Sequence, residues 1–283
     1  MKQRLISAAV GLPLAAVIIF FYNTILLNIA MAAVTLTAVY EIFVATKYLN
    51  NRGLITISMT FAVLVPFFRV AHMRVLSELF CFAFIFALFL LLLANHKNMR
   101  FEQIGTVFMI TLLLSFSFSS IVFTRDIYRG REFAPRLAMF YIILIFIGAW
   151  VTDAGAFFVG RAFGRKKLAP EISPKKTVEG AIGGVGATFI FFFVAVFIYR
   201  ACVLSAGYTI SINYLALAAS ALLSSGAAIV GDLSASIIKR ECNIKDFGNV
   251  IPGHGGVMDR FDSVMFVAPL IFIFLQICPI IGR

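Results

Sequence analysis

SIIKRECNIKDFGNVIPGHGGVMDRFD, Ser236 to Asp262, is a polar stretch held between two apolar runs, Ile212–Val230 and Val264–Ile281, each long enough to cross a bilayer. Ser236, Lys239 and Arg240 stand at i, i+3 and i+4 and share one face of a helix. Lys245 and Asp246 follow. Pro252-Gly253-His254-Gly255-Gly256 then forms a loop that can bring backbone N–H groups against an anion, because glycine has no Cβ to block the approach. Asp259 and Asp262 stand at i and i+3 and face one way on a helix. Four cations, four acids and a glycine turn pressed between membrane spans read as a site for a divalent metal and a phosphorylated substrate.

The rest of the chain agrees with those flanks. Of its 283 residues 61% are hydrophobic and only 13% charged, where a soluble domain carries about a quarter charged. Mean hydropathy is +1.00. Apolar windows near twenty residues recur throughout, and the short alternating segments of a transmembrane barrel are missing. The fold class expected is all-α, a polytopic transmembrane bundle of about nine spans with a cytoplasmic N-terminus. Residues 1–136 hold the N-terminal spans 1–5. Residues 137–283 form the catalytic region of spans 6–9, with cytoplasmic motif loops at 161–180 and 236–262. The net charge of +11 reads as basic loops that orient helices and meet anionic headgroups, not as a nucleic-acid surface. Cys81, Cys202, Cys242 and Cys278 are scattered, and their spacing supports neither a disulfide frame nor a zinc site.

In chain order, Leu5–Tyr22 is read as a retained first helix, followed by spans at Ile25–Thr46, Leu54–Phe68, Val75–Ala94 and Ile104–Phe123. Glu41, inside the second span, is read as a snorkelling or helix-paired carboxylate, with a catalytic role as the alternative. Serines 115, 117, 119 and 120 are expected to hydrogen-bond within the bundle or to their own carbonyls. Arg125 to Arg136 is a wet charged loop. From Leu137 a sixth span runs through Asp153, a carboxylate deep in apolar surroundings that needs a partner or water. It is either a site residue or an acceptor for a neighbouring helix. Gly155, Ala156, Gly160 and Gly164 let another helix come close. Arg161, Arg165, Lys166 and Lys167 lead into Ser173-Pro174-Lys175-Lys176-Thr177-Val178-Glu179-Gly180. Thr177 is the expected N-cap of a seventh span, and a helix N-terminus flanked by two lysines favours an anion. The seventh span runs Ala181–Tyr199; the eighth, Ile212–Val230, ends in Gly231-Asp232, with Ser236 a turn beyond.

The pattern S-x-x-K-R-x4-K-D-x5-P-G-H-G-G-x-x-D-R-x-D over Ser236–Asp262 resembles the C-terminal motif of the phosphatidate cytidylyltransferases. The run D-A-G-A-F-F-V-G-R…S-P-K-K-T-V-E-G is similar to the middle motif of the same family, and the resemblance covers roughly Trp150 to Asp262. It implies an integral-membrane nucleotidyltransferase that makes CDP-diacylglycerol from CTP and phosphatidic acid. It also implies a requirement for Mg2+, with a second, monovalent cation such as K+. Within that frame Asp232 and Asp259 are expected to hold the metal, Asp262 being a third ligand or a neighbour of the ligands. Lys239, Arg240, Lys175 and Lys176 would hold pyrophosphate and lipid headgroup, with Ser236, Thr177 and the Gly255 and Gly256 amides as further donors. Asp153 is expected on the substrate side. His254 orients a phosphate or aspartate, or caps and braces the loop. Arg260 is a substrate contact or a structural ion pair.

With nine spans and the N-terminus inside, sixteen of the 24 basic residues, all nine lysines among them, fall on the inner side. Both motif loops then face the cytosol and its nucleotides. The competing readings are a CTP-dependent enzyme acting on another lipid, namely an ether-lipid phosphate cytidylyltransferase or a polyprenol kinase, and a cation-coupled transporter working through the buried aspartates. Against the transporter, the polar groups gather at one membrane face and no inverted repeat is visible. Small-residue helix faces make a homodimer a further expectation.

Overall fold

The computed structural model describes residues 11, 13, 15–47, 51–68, 74–97, 99–129, 134, 136–253 and 255–282, with residues 74–76 as backbone only. Most of the expected first span, Leu5–Tyr22, lies outside the described residues; 15–20 are helical. Among the described residues six helices are long and apolar enough to cross a membrane, and two shorter apolar helices accompany them. The protein is an all-α polytopic membrane protein. Its compact units do not follow chain order: one comprises Met1–Phe123 with Glu241–Phe261, the other Thr124–Arg240 with Asp262–Arg283.

In the first unit, helix α1 (Ile25–Ala45) opens on Thr24, whose hydroxyl accepts the Leu26 N–H at 3.2 Å. Helix α2 (Arg52–Leu64) opens on Asn51 in the same way and ends in a 3-10 turn at Val65–Phe67, where Pro66 ends the ladder. The buried Asn28 amide donates to the Pro66 carbonyl at 2.7 Å, so a polar group inside α1 is satisfied by the carbonyl that the turn frees. Helix α3 (Arg74–Ala94) packs on α2 through stacked Phe61 and Phe84, 4.2 Å between centroids. Helix α4 (Phe101–Tyr128) carries the serine run. Only part of the serine expectation holds: Ser120 bonds the Phe116 carbonyl at 2.7 Å, whereas the hydroxyls of Ser115, Ser117 and Ser119 are buried without a partner.

In the second unit a single helical span, Leu137–Phe163, is built from α5 (Leu137–Phe146), a π-turn at Ile147–Val151 and α6 (Thr152–Phe163). The π-turn ends two residues before Asp153; such bulges recur at functional positions of helices. The stretch after α6 is not only loop: β1 (Lys167–Ala169) and β2 (Ser173–Thr177) pair antiparallel in a small hairpin. Thr177 ends β2 and caps α7 (Val178–Ser205), its hydroxyl accepting the Gly180 N–H at 3.2 Å, as its position beside SPKK suggests.

Helices α6 and α7 lie together over most of α6. A Cβ at Gly155 would meet that of Ala187 at 2.7 Å, and one at Gly183 would meet the Val159 side chain at 2.3 Å. Between them Thr152 and Thr188 share a hydroxyl–hydroxyl bond of 2.6 Å. The small-residue faces of α6 and α7 are therefore filled against one another. Helix α8 (Tyr214–Glu241) runs three turns past Val230, so Asp232, Ser236, Lys239 and Arg240 all ride one rigid helix. A short turn α9 (Met258–Phe261) closes the first unit's return segment, and α10 (Val264–Ile277) ends the second. Strands β3 (Ser211–Ile212) and β4 (Ile281–Gly282) pair at the far end of α8 and α10.

Candidate active site

Four elements of the second unit converge on one cluster. Helix α8 meets the start of α10 at Gly231, where an added Cβ would lie 2.5 Å from the Asp262 carbonyl oxygen. Only glycine allows that approach, and it sets the next residue, Asp232, beside Asp262. Asp232 makes a salt bridge to Lys176 from β2. Asp153, in the first turn of α6, accepts the Ser263 hydroxyl proton at 2.6 Å, and the Ser263 N–H donates to Asp262 Oδ1 at 2.8 Å. Burial pushes the Asp262 carboxyl up to about 7; the Asp232 and Asp153 carboxylates add to the shift and Lys239 opposes it.

A cavity of about 480 Å³ opens on this cluster. Asp153, Asp232, Lys175, Lys176, Thr177 and Arg161 form its polar side, and Phe157, Ala181 and Ile229 its apolar side. The capped N-terminus of α7 adds the positive end of a 28-residue helix dipole. The hairpin that carries the lysines is tied at both ends. Glu179 accepts the N–H groups of Arg165 and Lys166 at 3.0 and 3.2 Å, and Arg240 Nε donates to the Ile172 carbonyl at 3.3 Å.

The glycine loop, which belongs to the first unit, is built differently. Asp259 Oδ2 accepts the N–H groups of Phe247 and Gly256 at 2.8 and 3.0 Å, and Ile251 pairs with Gly255. Gly255 has φ +87°, a conformation that suits glycine. Glu41 is 3% exposed and accepts the N–H groups of Val257 and Met258 at 2.9 and 2.8 Å. It does not snorkel but pairs with the N-terminal end of α9, because four buried or half-buried N–H groups of the loop need acceptors and two of them, those of Val257 and Met258, find it.

The model of the cytidylyltransferase family fits residues 2–278. The chain belongs to that family. It is similar to phosphatidate cytidylyltransferases from Bacillus subtilis, at 29% identity with 98% of each chain covered, and Haemophilus influenzae, at 29% with 95% of this chain and 96% of the relative. The Staphylococcus epidermidis relative of that name is 32% identical over 97% of this chain and 99% of its own. As a cytidylyltransferase the protein is a nucleotidyltransferase.

In this cytidylyltransferase the second unit brings together Asp153, Asp232, Asp262, Lys175, Lys176, Thr177 and, through its charge on Asp262, Lys239. Ser236 is buried on the same α8 face, one turn beyond Asp232. Arg240 is turned to the hairpin backbone. Asp259, Gly255 and Gly256 form the loop of the first unit, where Arg260 is exposed. The Gly256 amide was expected to meet a phosphate; it is instead taken by Asp259, the nearest strong acceptor, three residues on. His254 lies outside the described residues.

Sequence reasoning missed Arg161, Ser263 and the anchoring role of Glu41. Ser263 directly follows the Asp259–Asp262 pair, which was the only signal for it.

Among the described residues no three or more Asp, Glu, His or Cys side chains are arranged to hold a metal ion. Magnesium needs less. It is commonly held by one or two carboxylates with substrate phosphates and water supplying the rest. The hard oxygens of Asp232 and Asp262, set side by side at the Gly231 corner, fit that mode.

Proposed function

We propose that the protein transfers CMP from CTP to phosphatidic acid, giving CDP-diacylglycerol and pyrophosphate for phospholipid synthesis, with Mg2+ at Asp232 and Asp262. The observation that carries the proposal is the cavity in which Lys175, Lys176, Arg161 and the α7 N-terminus face Asp153 and Asp232 across a partly apolar wall. Two anions must meet for this reaction, so most of the work is cancelling charge and holding geometry. Lys175, Lys176 and Arg161 bind phosphate oxygens, and the α7 N-terminus favours an anion beside them. Phe157, Ala181 and Ile229 suit the apolar part of a lipid.

A phosphatidate oxygen, already ionised at neutral pH, attacks the α-phosphorus of CTP. The new P–O bond forms as the bond to the β-phosphate oxygen breaks, and pyrophosphate leaves with the electron pair. No general base is required. Bound magnesium would supply charge neutralisation at the phosphate oxygens. Lys176, released from Asp232 when phosphate binds, is placed to follow the charge onto the leaving group.

The gathering of all nine lysines in one alternate set of loops supports a site facing the cytosol, in a cell membrane that the chain crosses nine times with its N-terminus inside. Purified protein in mixed micelles with CTP, Mg2+ and phosphatidic acid should release pyrophosphate and form a CDP-lipid in equal amounts. Release of CDP with a phosphorylated alcohol would establish a kinase instead. Cation flux into liposomes with neither product would establish a transporter.

A further inference from the structure

Ser263 sits at the N-cap position of α10, where a serine ordinarily turns its oxygen to its own helix and accepts an N–H, stabilising the helix by about 1 kcal/mol. Here it makes no such bond. Its hydroxyl, 1% exposed, is aimed at Asp153 on α6, 110 residues away in sequence, at 2.6 Å. That length is in the range of a charge-assisted O–H···O⁻ bond, and a hydroxyl has only one proton to give. The Ser263 N–H holds Asp262 Oδ1 at 2.8 Å. One residue thus takes one oxygen from each of two carboxylates, Asp262 buried and Asp153 half-buried, and leaves each its second oxygen. The corner is wedged from behind: a Cβ on Gly231 would lie 3.2 Å from Ser263 Cα.

We infer that Ser263 is a positioning residue of this nucleotidyltransferase, its hydroxyl fixing the Asp153 carboxylate and its amide the Asp262 carboxylate at the spacing the phosphate-bearing substrates require. The inference rests on the reaction proposed above. The helical backbone of Ser263 (φ −71°, ψ −37°) turns its hydroxyl away from a capping role, and it is used across the unit, where it relieves a half-buried carboxylate of part of its need for water. Asp153, on a different helix, has no covalent reason to keep its distance from Asp262. Ser263 supplies the link.

The test compares Ser263→Ala, Ser263→Thr, Asp153→Asn and the Ser263→Ala/Asp153→Asn double variant. Ser225→Ala serves as control, since that buried hydroxyl bonds only the Leu222 carbonyl of its own helix. Each is assayed for kcat and KM on CTP and phosphatidic acid, and for the Mg2+-induced rise in melting temperature without substrates. Ser263→Ala should lower kcat by about tenfold or more with KM changing little, as misplaced reacting groups do. Ser263→Thr, which keeps the hydroxyl, should recover most of that loss. The double variant should be no worse than Asp153→Asn, since the hydroxyl then has no carboxylate to hold. The Mg2+-induced rise should shrink in Ser263→Ala and be unchanged in Ser225→Ala. Additive losses in the double variant, or a Ser263→Ala enzyme with wild-type kcat and wild-type Mg2+ response, would overturn the inference. If the wild type forms no CDP-lipid the reaction proposal fails first, and the Mg2+ response of the same variants then judges Ser263 alone.

Discussion

The two units use the same chemical group, a buried or half-buried carboxylate, for opposite ends. In the first, Glu41 and Asp259 each accept two backbone N–H groups, at distances of 2.8–3.0 Å, and the return segment Glu241–Phe261 is shaped around them. In the second, Asp232 pairs with the Lys176 side chain and Asp153 with the Ser263 side chain. A carboxylate that satisfies backbone N–H groups cannot leave without stranding them, so it is scaffold. One paired with a flexible lysine can exchange that partner for a phosphate or a metal at little loss. Carboxylates of the first kind make a loop, and those of the second make a site.

Asp232→Asn attacks the exchangeable side of this contrast most directly. It keeps the shape and removes the charge, so CDP-lipid formation should fall by about 100-fold or more, the range seen when one preorganised electrostatic group is lost. Melting temperature should stay close to wild type, because the Lys176 pair is partly exposed and such pairs add little to stability. An active Asp232→Asn enzyme would turn the contrast upside down.

Glu41→Ala tests the scaffold side. Two buried N–H groups would lose a charged acceptor, a loss of about 3 kcal/mol, expressed as opening of the loop. Limited proteolysis should then cut between residues 242 and 257, where the wild type resists. Turnover lost with the loop still protected would make Glu41 a site residue after all. Gly231→Ala should come next, at about 2 kcal/mol of overpacking, since its Cβ would press the Asp262 carbonyl from 2.5 Å. Because that strain falls on the Asp232–Asp262 corner, kcat should drop with it. A wild-type kcat would mean that the corner yields freely.

How much of this was readable beforehand depended on reach along the chain. The spans were legible because a bilayer imposes a local rule, about twenty apolar residues in a row. The Thr177 cap was legible from residues within one turn, and so was the shared α8 face of Asp232, Ser236 and Lys239. Contacts set by tertiary packing were not. Glu41 meets Val257 across 216 residues, and no pattern near Glu41 announces a loop that needs an acceptor. Asp153 and Ser263 are 110 apart, and Ser263 looks like an ordinary helix cap until its hydroxyl direction is known. The β1–β2 hairpin hid for another reason: strands of three and five residues are too short to show an alternating period, and SPKK reads as loop.

The smallest expected effect separates two jobs that Thr177 does at once. Its hydroxyl satisfies the Gly180 N–H at 3.2 Å, which is worth about 1 kcal/mol to α7, and it holds the helix end open toward the cavity beside Lys175 and Lys176. Thr177→Ala removes the cap, so the first turn of α7 should fray and present its N–H groups less well to an anion. KM for CTP should rise by about fivefold, the equivalent of that 1 kcal/mol, while kcat changes less, since the Asp232–Asp262 corner is untouched. Thr177→Ser keeps the oxygen and should restore KM. Were Thr177→Ala to lower stability with KM unchanged, the α7 N-terminus would be a structural end, and the anion would be held by the lysines alone. The site would then rest on side-chain charge throughout, which is the stronger form of the contrast with the backbone-bound carboxylates of the first unit.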